Sequence, residues 1–183
     1  GADLLQGEAG DDTLFGGEGS DTLLGSDGKD TLDGESADDV LDGGQGEDIL
    51  RGGAGNDHLT GGLSDDQLQG GAGNDAYHFS AGDGRDSIRD NDGLNTIYLS
   101  GLPLDQVYFR REDTALAVYF LNSPDDRIRL EDFFDPTTQL ARFPLTVDLG
   151  NGQQRLLDAD ALNQASLAGT AMDDVILGNT LDN

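Results

Sequence analysis

Aspartate is the residue with chemistry to offer in this chain, and it recurs at a fixed interval. Asp12, Asp21, Asp30, Asp39, Asp48, Asp57, Asp66 and Asp75 stand nine residues apart, with Asp3 one interval earlier. Each follows a glycine-rich tetrad, as in Gly52-Gly53-Ala54-Gly55 before Asp57. A hard carboxylate beside freely aimed backbone carbonyls is the donor set that Ca²⁺ prefers, at roughly 6–8 oxygens. Other chemistry is poorly supplied. Cys is absent, which removes thiolate metal sites and redox motifs. His58 and His78 are the only histidines. They fall at outward positions of their repeat units and read as solvated side chains. No Ser/His/Asp or Cys/His arrangement is available, so the chain reads as non-enzymatic.

The elements that must position these aspartates follow from the same frame. Eight complete units start at Gly7, Gly16, Gly25, Gly34, Gly43, Gly52, Gly61 and Gly70. Their common form is G-G-x-G-x-D-x-U-x, with Leu at U from Leu14 to Leu68 and Tyr77 in the last unit. Glycine tolerates positive φ, so G-G-x-G predicts a turn. The last three positions predict a minimal strand, such as Thr13-Leu14-Phe15, whose central side chain points inward. One turn plus one strand makes half a coil. Two units make a coil of 18 residues, and coils stack at about 4.8 Å. A single unit cannot bury its Leu, but a stack buries a column of them. The prediction is an all-β, parallel β-roll (a β-solenoid). One edge would carry Asp12, Asp30, Asp48 and Asp66, and the other Asp3, Asp21, Asp39, Asp57 and Asp75. A disordered Gly/Asp-rich linker would have no reason to hold Leu at one phase.

This nonapeptide resembles the calcium-binding repeat of RTX (repeats-in-toxin) haemolysin-type proteins. The resemblance implies several Ca²⁺ ions, each between neighbouring turns of one edge. The upper turn would give its second and fourth carbonyls and its Asp, and the next turn its first and third carbonyls and its Asp. One site would use Gly53, Gly55 and Asp57 with Gly70, Ala72 and Asp75. Another would use Gly44, Gly46 and Asp48 with Gly61, Leu63 and Asp66. The remaining implied ligands are Gly10, Gly16, Gly17, Gly19, Gly25, Gly28, Gly34, Gly43, Gly52, Gly62, Gly71 and Gly73. The second position departs from Gly at Glu8, Ser26 and Glu35, and the fourth at Ala37 and Ser64. Weaker sites are expected where the fourth Gly is lost.

Past His78 the frame slips by Phe79 and Ser80, then resumes in two degenerate units, Ala81 to Arg89 and Asp90 to Tyr98. Asp83, Asp86 and Asp92 are further candidate ligands. Asn95 stands in the Asp slot of the last unit, which predicts a site short of one carboxylate. Asp90-Asn91-Asp92-Gly93 does not fit an EF-hand loop, which needs Gly sixth and Glu twelfth.

The formal charge is −27 over 183 residues. Residues 1–98 hold 23 acids against Lys29, Arg51, Arg85 and Arg89, a net of −19. Such density opposes compaction unless cations neutralise it, and it argues against nucleic acid as a partner. No run is long and apolar enough for a membrane span.

Residues 99–160 change character: Gly becomes scarce and aromatics rise. Val107 and Phe109, then Leu116, Val118 and Phe120, alternate as half-buried strands do, with Arg111 to Thr114 as the turn. A second turn spans Asn122 to Asp126, and Ile128 and Leu130 alternate with Arg127 and Arg129. Phe133-Phe134-Asp135-Pro136 reads as an aromatic corner. Phe143, Leu145, Val147 and Leu149 alternate before a Gly150-Asn151-Gly152 turn, and Asp158 would cap a short helix through Leu162. This stretch resembles the haemolysin-type calcium-binding related region that follows RTX blocks. It rests on Leu102 to Arg110, on the strand ending in Asp132-Phe133-Phe134, and on the last strand and turn, and it implies a small β-rich cap. Residues 161–183 read as a linker and, from Gly169 to Leu177, the start of a second block.

The family resemblance implies a module that folds on Ca²⁺ after export of a large Gram-negative exoprotein. Its implied partners are the type I secretion machinery and adjoining RTX blocks, and its location extracellular. The parent would be a toxin, exoenzyme or adhesin. The alternative is a glycan- or alginate-binding module, in which Arg110, Arg111, Arg127 and Arg129 would line an anion-binding strand face. Pairing of those arginines with nearby acids is the competing use.

Overall fold

Each repeat boundary lies inside a strand. The computed structural model describes residues 1–90, 92–100, 107–133, 145–148, 154–157 and 175–176. Eight strands of six residues open the chain: β1 (Leu4–Ala9), β2 (Thr13–Glu18), β3 (Thr22–Asp27), β4 (Thr31–Ser36), β5 (Val40–Gln45), β6 (Ile49–Ala54), β7 (His58–Leu63) and β8 (Gln67–Ala72). Each runs from the seventh position of one unit to the third of the next. The expected three-residue strand is therefore too short, and the turn is confined to positions four to six. The physical reason lies in the first two glycines. The ladder skips the first, as between Gln6↔Leu24 and Glu8↔Ser26, and resumes at the second. The strand bends there without ending.

Odd-numbered strands stack in one sheet in the order β1-β3-β5-β7, and even-numbered ones in the other as β8-β6-β4-β2. All these pairings are parallel, and partners are 18 residues apart, as in Leu23↔Leu41 and Leu32↔Leu50. An unvarying register puts every U residue on the inner face. Leu23, Leu32, Leu41, Leu50 and Leu59 are fully buried, and Leu5 and Leu14 pack against them. Each buried Leu stabilises the roll by about 1.5–3 kcal/mol.

The coil widens after β9 (Ala76–Ser80). β10 (Arg85–Ile88) and β11 (Thr96–Ser100) pair with the preceding coil at a spacing of 20, as in Leu68↔Ile88 and Tyr77↔Ile97. Phe79 takes the slot of a first-position Gly, and the longer coil buries its ring against the core cluster.

The flank continues both sheets. β14 (Arg127–Leu130) adds parallel to β10. β13 (Ala115–Phe120) and β12 (Val107–Glu112) follow antiparallel. In the other sheet β15 (Leu145–Asp148) adds parallel to β11, and β16 (Gln154–Leu157) antiparallel to β15. Phe109, Leu116, Val118, Ile128, Leu130 and Phe133 join the same core cluster as the leucines. Arg111 and Glu112 belong to β12, so the connection is only Asp113-Thr114, with Asp113 at φ 55°. β17 (Val175–Ile176) pairs antiparallel with β12, unlike the parallel coils of the repeat. Several expectations lie outside the described residues: the resemblance at Leu102, the Phe134 to Pro136 corner, Phe143 and Leu149, the Gly150-Asn151-Gly152 turn, the helix from Asp158, and the remainder of the 169–183 repeat.

The glycine departures keep the glycine conformation. Glu8, Ser26, Glu35, Ala37 and Ser64 all have φ between 69° and 103°. A left-handed L-residue costs about 1–2 kcal/mol.

Leu50→Ala should destabilise the roll by roughly 2–5 kcal/mol through a cavity in the column, while exposed Arg51→Ala should stay within about 0.5 kcal/mol. Equal unfolding midpoints in denaturant would show that the inward position is misassigned. A Cβ on Gly46 would stand 1.7 Å from the Gly28 carbonyl oxygen at φ 124°. Gly46→Ala should therefore cost about 3 kcal/mol. Ala37→Gly should gain about 0.5–1 kcal/mol, because strain relief exceeds the added freedom of the unfolded chain. Denaturant melts of both variants read these opposite signs.

Candidate metal centre

The sixth-position aspartates form two ladders along the edges of the roll. In each coil the Asp backbone N–H donates to Oδ1 of the Asp one coil further on, from Asp3 N to Asp21 and from Asp12 N to Asp30, up to Asp48 N to Asp66 and Asp57 N to Asp75, at 2.7–2.9 Å. Asp66 N continues one ladder to Asp86 Oδ1 at 3.0 Å, and Asp75 N continues the other to Asn95 Oδ1 at 2.9 Å. Eight of these carboxylates, from Asp21 to Asp86, are buried.

The second carboxylate oxygen has no such partner. Oδ2 of Asp12, Asp21, Asp30, Asp39, Asp48, Asp57, Asp66 and Asp75 is buried without a hydrogen bond. It points into its own turn. A Cβ on first-position Gly43 would meet Asp48 Oδ2 at 2.4 Å and the Gly61 carbonyl oxygen of the next coil at 2.6 Å. The same pair of oxygens recurs at Gly16, Gly25, Gly34 and Gly52. The next coil's first carbonyl thus faces back into the turn. Carbonyls of the second and fourth positions face forward: a Cβ on Gly62 would lie 2.1 Å from Gly44 O, one on Gly71 2.2 Å from Gly53 O, and one on Gly73 1.8 Å from Gly55 O. The third-position carbonyls of Leu63 and Ala72 already accept backbone N–H groups from Gly46 and Gly55. Two coils therefore enclose a pocket of oxygens at each turn, and glycine is required wherever a Cβ would enter it.

Burial sets the electrostatics. It pushes the carboxyls of Asp48 and Asp57 up to about 6, Asp66 and Asp75 to about 7, and Asp86 to about 8. The donated backbone N–H lowers them, and the charge of neighbouring aspartates raises them further. A buried carboxylate oxygen without a partner requires either a proton or a cation. Among the described residues no three His, Asp or Glu side chains gather at a metal-holding distance. The donor set is two carboxylates with main-chain oxygens, which suits a hard ion such as Ca²⁺.

Not every residue expected at a metal joins this arrangement. Asp86 does. Asp3 is exposed at the start of its ladder. Asp83 braces the widened coil: its Oδ2 accepts from Ser80 N at 2.6 Å and its carbonyl from Ser64 N. Asp92 is exposed, and its Oδ1 accepts from Gly93 N, outside the ladder. Asp90 fills a Gly slot, which reads in the sequence as decay of the repeat. It is buried, and its Oδ2 accepts from the Tyr77 hydroxyl at 2.5 Å. Its Oδ2 and that of Asp75 both border the space at Gly70, in the turn next to Asn95. His58 and His78 do face outward, but they contact each other, Nδ1 to Nε2 at 3.1 Å, and His78 stacks on Tyr98. Arg127 and Arg129 pair with Glu112, and Arg129 also with Glu131. Tyr119 and both arginines hold the Glu112 carboxyl below its usual range. That face is internally paired.

Comparison with known families agrees with this geometry. The family model of the RTX calcium-binding nonapeptide repeat matches in four overlapping copies, over residues 1–32, 15–50, 24–59 and 43–77. Residues 1–77 are an RTX repeat array, and RTX nonapeptide repeats bind calcium as a structural module. No individual curated protein matches the chain.

The raised carboxyls give a pH prediction for the metal-free chain. The folded state holds protons that the unfolded chain, with aspartates near 3.8, gives up. That stability is complete below about pH 4 and is lost as pH rises through about 6 for Asp48 and about 8 for Asp86. In chelator, the strand signal in circular dichroism should fall between these limits. A signal that rises with pH would contradict it.

Proposed function

We propose that this RTX array is a calcium-dependent folding module of a secreted bacterial protein. The observation that carries the reading is the set of eight buried Oδ2 atoms without a hydrogen-bond partner, each aimed into a turn. Asp48 and Asp66, with carbonyls of Gly44, Gly46 and Gly61, would hold one ion. Asp57 and Asp75, with Gly53, Gly55 and Gly70, would hold another. Leu63 and Ala72 can add a second lone pair to the hydrogen bond each already accepts. Bound calcium supplies the positive charge that lets stacked aspartates coexist.

Binding and folding then share one free energy, because the pocket needs two coils in contact. At net −19 over residues 1–98 the metal-free chain repels itself at neutral pH. That state suits passage through a type I secretion channel in calcium-poor cytosol, with folding outside at extracellular calcium. The antiparallel strands of the flank act as a cap: they share the leucine core and bring the parallel coils to an end. A parent with toxin, exoenzyme or adhesin activity would carry this module as its folding device.

Far-UV circular dichroism against free Ca²⁺ at neutral pH tests the reading. A cooperative gain of strand signal is expected, with Mg²⁺ far less effective because it demands near-octahedral geometry and keeps its waters. Full strand signal in chelator at pH 8, or equal folding by Mg²⁺, would overturn it.

A further inference from the structure

The two edges of the array end differently. On one, Asp66 is followed by Asp86, so the last pair of coils still presents two carboxylates. On the other, Asp75 is followed by Asn95, whose amide oxygen keeps the ladder bond but carries no charge. The same turn departs from the repeat in two further places. Asp90 fills the first-position Gly slot, and Tyr77 fills the Leu slot.

These three departures meet at one point. At Gly52 the space a Cβ would fill is bounded by Asp57 Oδ2 at 2.3 Å and the Gly70 main-chain oxygen at 2.7 Å. At Gly70 it is bounded by Asp75 Oδ2 at 2.2 Å and by Asp90 Oδ2, a side-chain oxygen, at 2.5 Å. Asp75 Oδ2 is buried without a hydrogen bond, and Asp75 is 1% exposed. Asp90 is 8% exposed. Gly70 N donates to the Tyr77 hydroxyl at 2.7 Å, and that hydroxyl donates to Asp90 Oδ2. Asp90 Oδ1 accepts from Asp92 N at 3.3 Å. Leu at position 77 could not make this relay. At Gly61, on the other edge, the three nearest atoms all belong to Asp66.

We propose that Asp90 is a side-chain ligand of the last Ca²⁺ site on this edge, completing it with Asp75 and Asn95, and that Tyr77 is the residue that positions its carboxylate. The proposal rests on the calcium reading of the array. It restores two carboxylates to a site that Asn95 would leave with one. It also makes this site anionic through side chains where the regular sites use a first-position carbonyl. The competing account is a single proton shared between Asp75 and Asp90.

Asp90→Asn separates the two, because an amide can replace a protonated carboxyl but does not supply the negative charge of a carboxylate ligand. Calcium binding by the full chain is counted by isothermal titration calorimetry, with circular dichroism recorded at saturation. D90N should bind one ion fewer than wild type, or bind that ion at least tenfold more weakly, and still reach the wild-type strand signal. Asn95→Asp in the D90N background returns the carboxylate to its regular slot and should restore the ion. Tyr77→Phe should weaken the same ion when Asp90 is present and add nothing in D90N. Unchanged ion count and affinity in D90N would overturn the proposal in favour of the shared proton, with the calcium reading intact. No calcium binding by wild type would remove both. If D90N fails to fold at saturating calcium, Y77F decides: a weakened last ion supports the proposal, and unchanged binding overturns it.

Discussion

The rest of the structure depends on one recurring contact, a buried aspartate that uses one oxygen and leaves the other open. Oδ1 accepts the backbone N–H of the Asp one coil earlier, which ties each coil to its neighbour. Oδ2 is turned into the loop with no partner. The two oxygens of one side chain thereby couple the stacking of coils to the presence of a counter-charge. A carboxylate so placed favours the roll only when neutralised. Stacking of coils thus places unneutralised charge in the interior, and the proposed coupling of calcium binding to folding rests on that contact.

The repeat period is a consequence of that contact. A pairing distance of 18 residues keeps each Asp over the next, each Leu over the next and each second-position residue in the left-handed region. Side chains other than glycine are tolerated at the second position in Glu8, Ser26 and Glu35, and at the fourth in Ala37 and Ser64, at a local cost in strain. At first-position glycines the restriction is tighter. A Cβ would displace the oxygens that line the pocket, as at Gly43. The widened coil shows the same rule from the other side. Phe79 can occupy a first-position slot only where two extra residues enlarge the coil.

The end of the array is handled by two devices. Antiparallel strands replace parallel ones, which brings the stack to an edge without further turns of the repeat. Their apolar faces, including Phe109, Leu116 and Ile128, extend the leucine core without interruption. On the outer face Arg127 and Arg129 are engaged by Glu112. The arginines of the flank are thus matched by the flank's own glutamates.

The period, the parallel stacking, the two edges and the inward leucines are legible in the amino-acid sequence. All of these follow from residue types at a constant phase, and a constant phase is a local property that stacking only repeats. The chemistry is legible too, since glycine turns closed by aspartate admit few uses other than a hard cation. Strand length is not legible in the same way, because a glycine pair looks like a turn although the ladder resumes beyond it. In the sequence Asp83 and Asp92 read as candidate ligands, while Asp90 reads as a decayed glycine slot. Only the tertiary structure separated them. Asp90 is 15 residues from Asp75 in the chain, and what makes it significant is the orientation of its Oδ2 through Tyr77 and Gly70. Orientation of a side chain across coils depends on the packed neighbours, and no spacing rule along one strand encodes it.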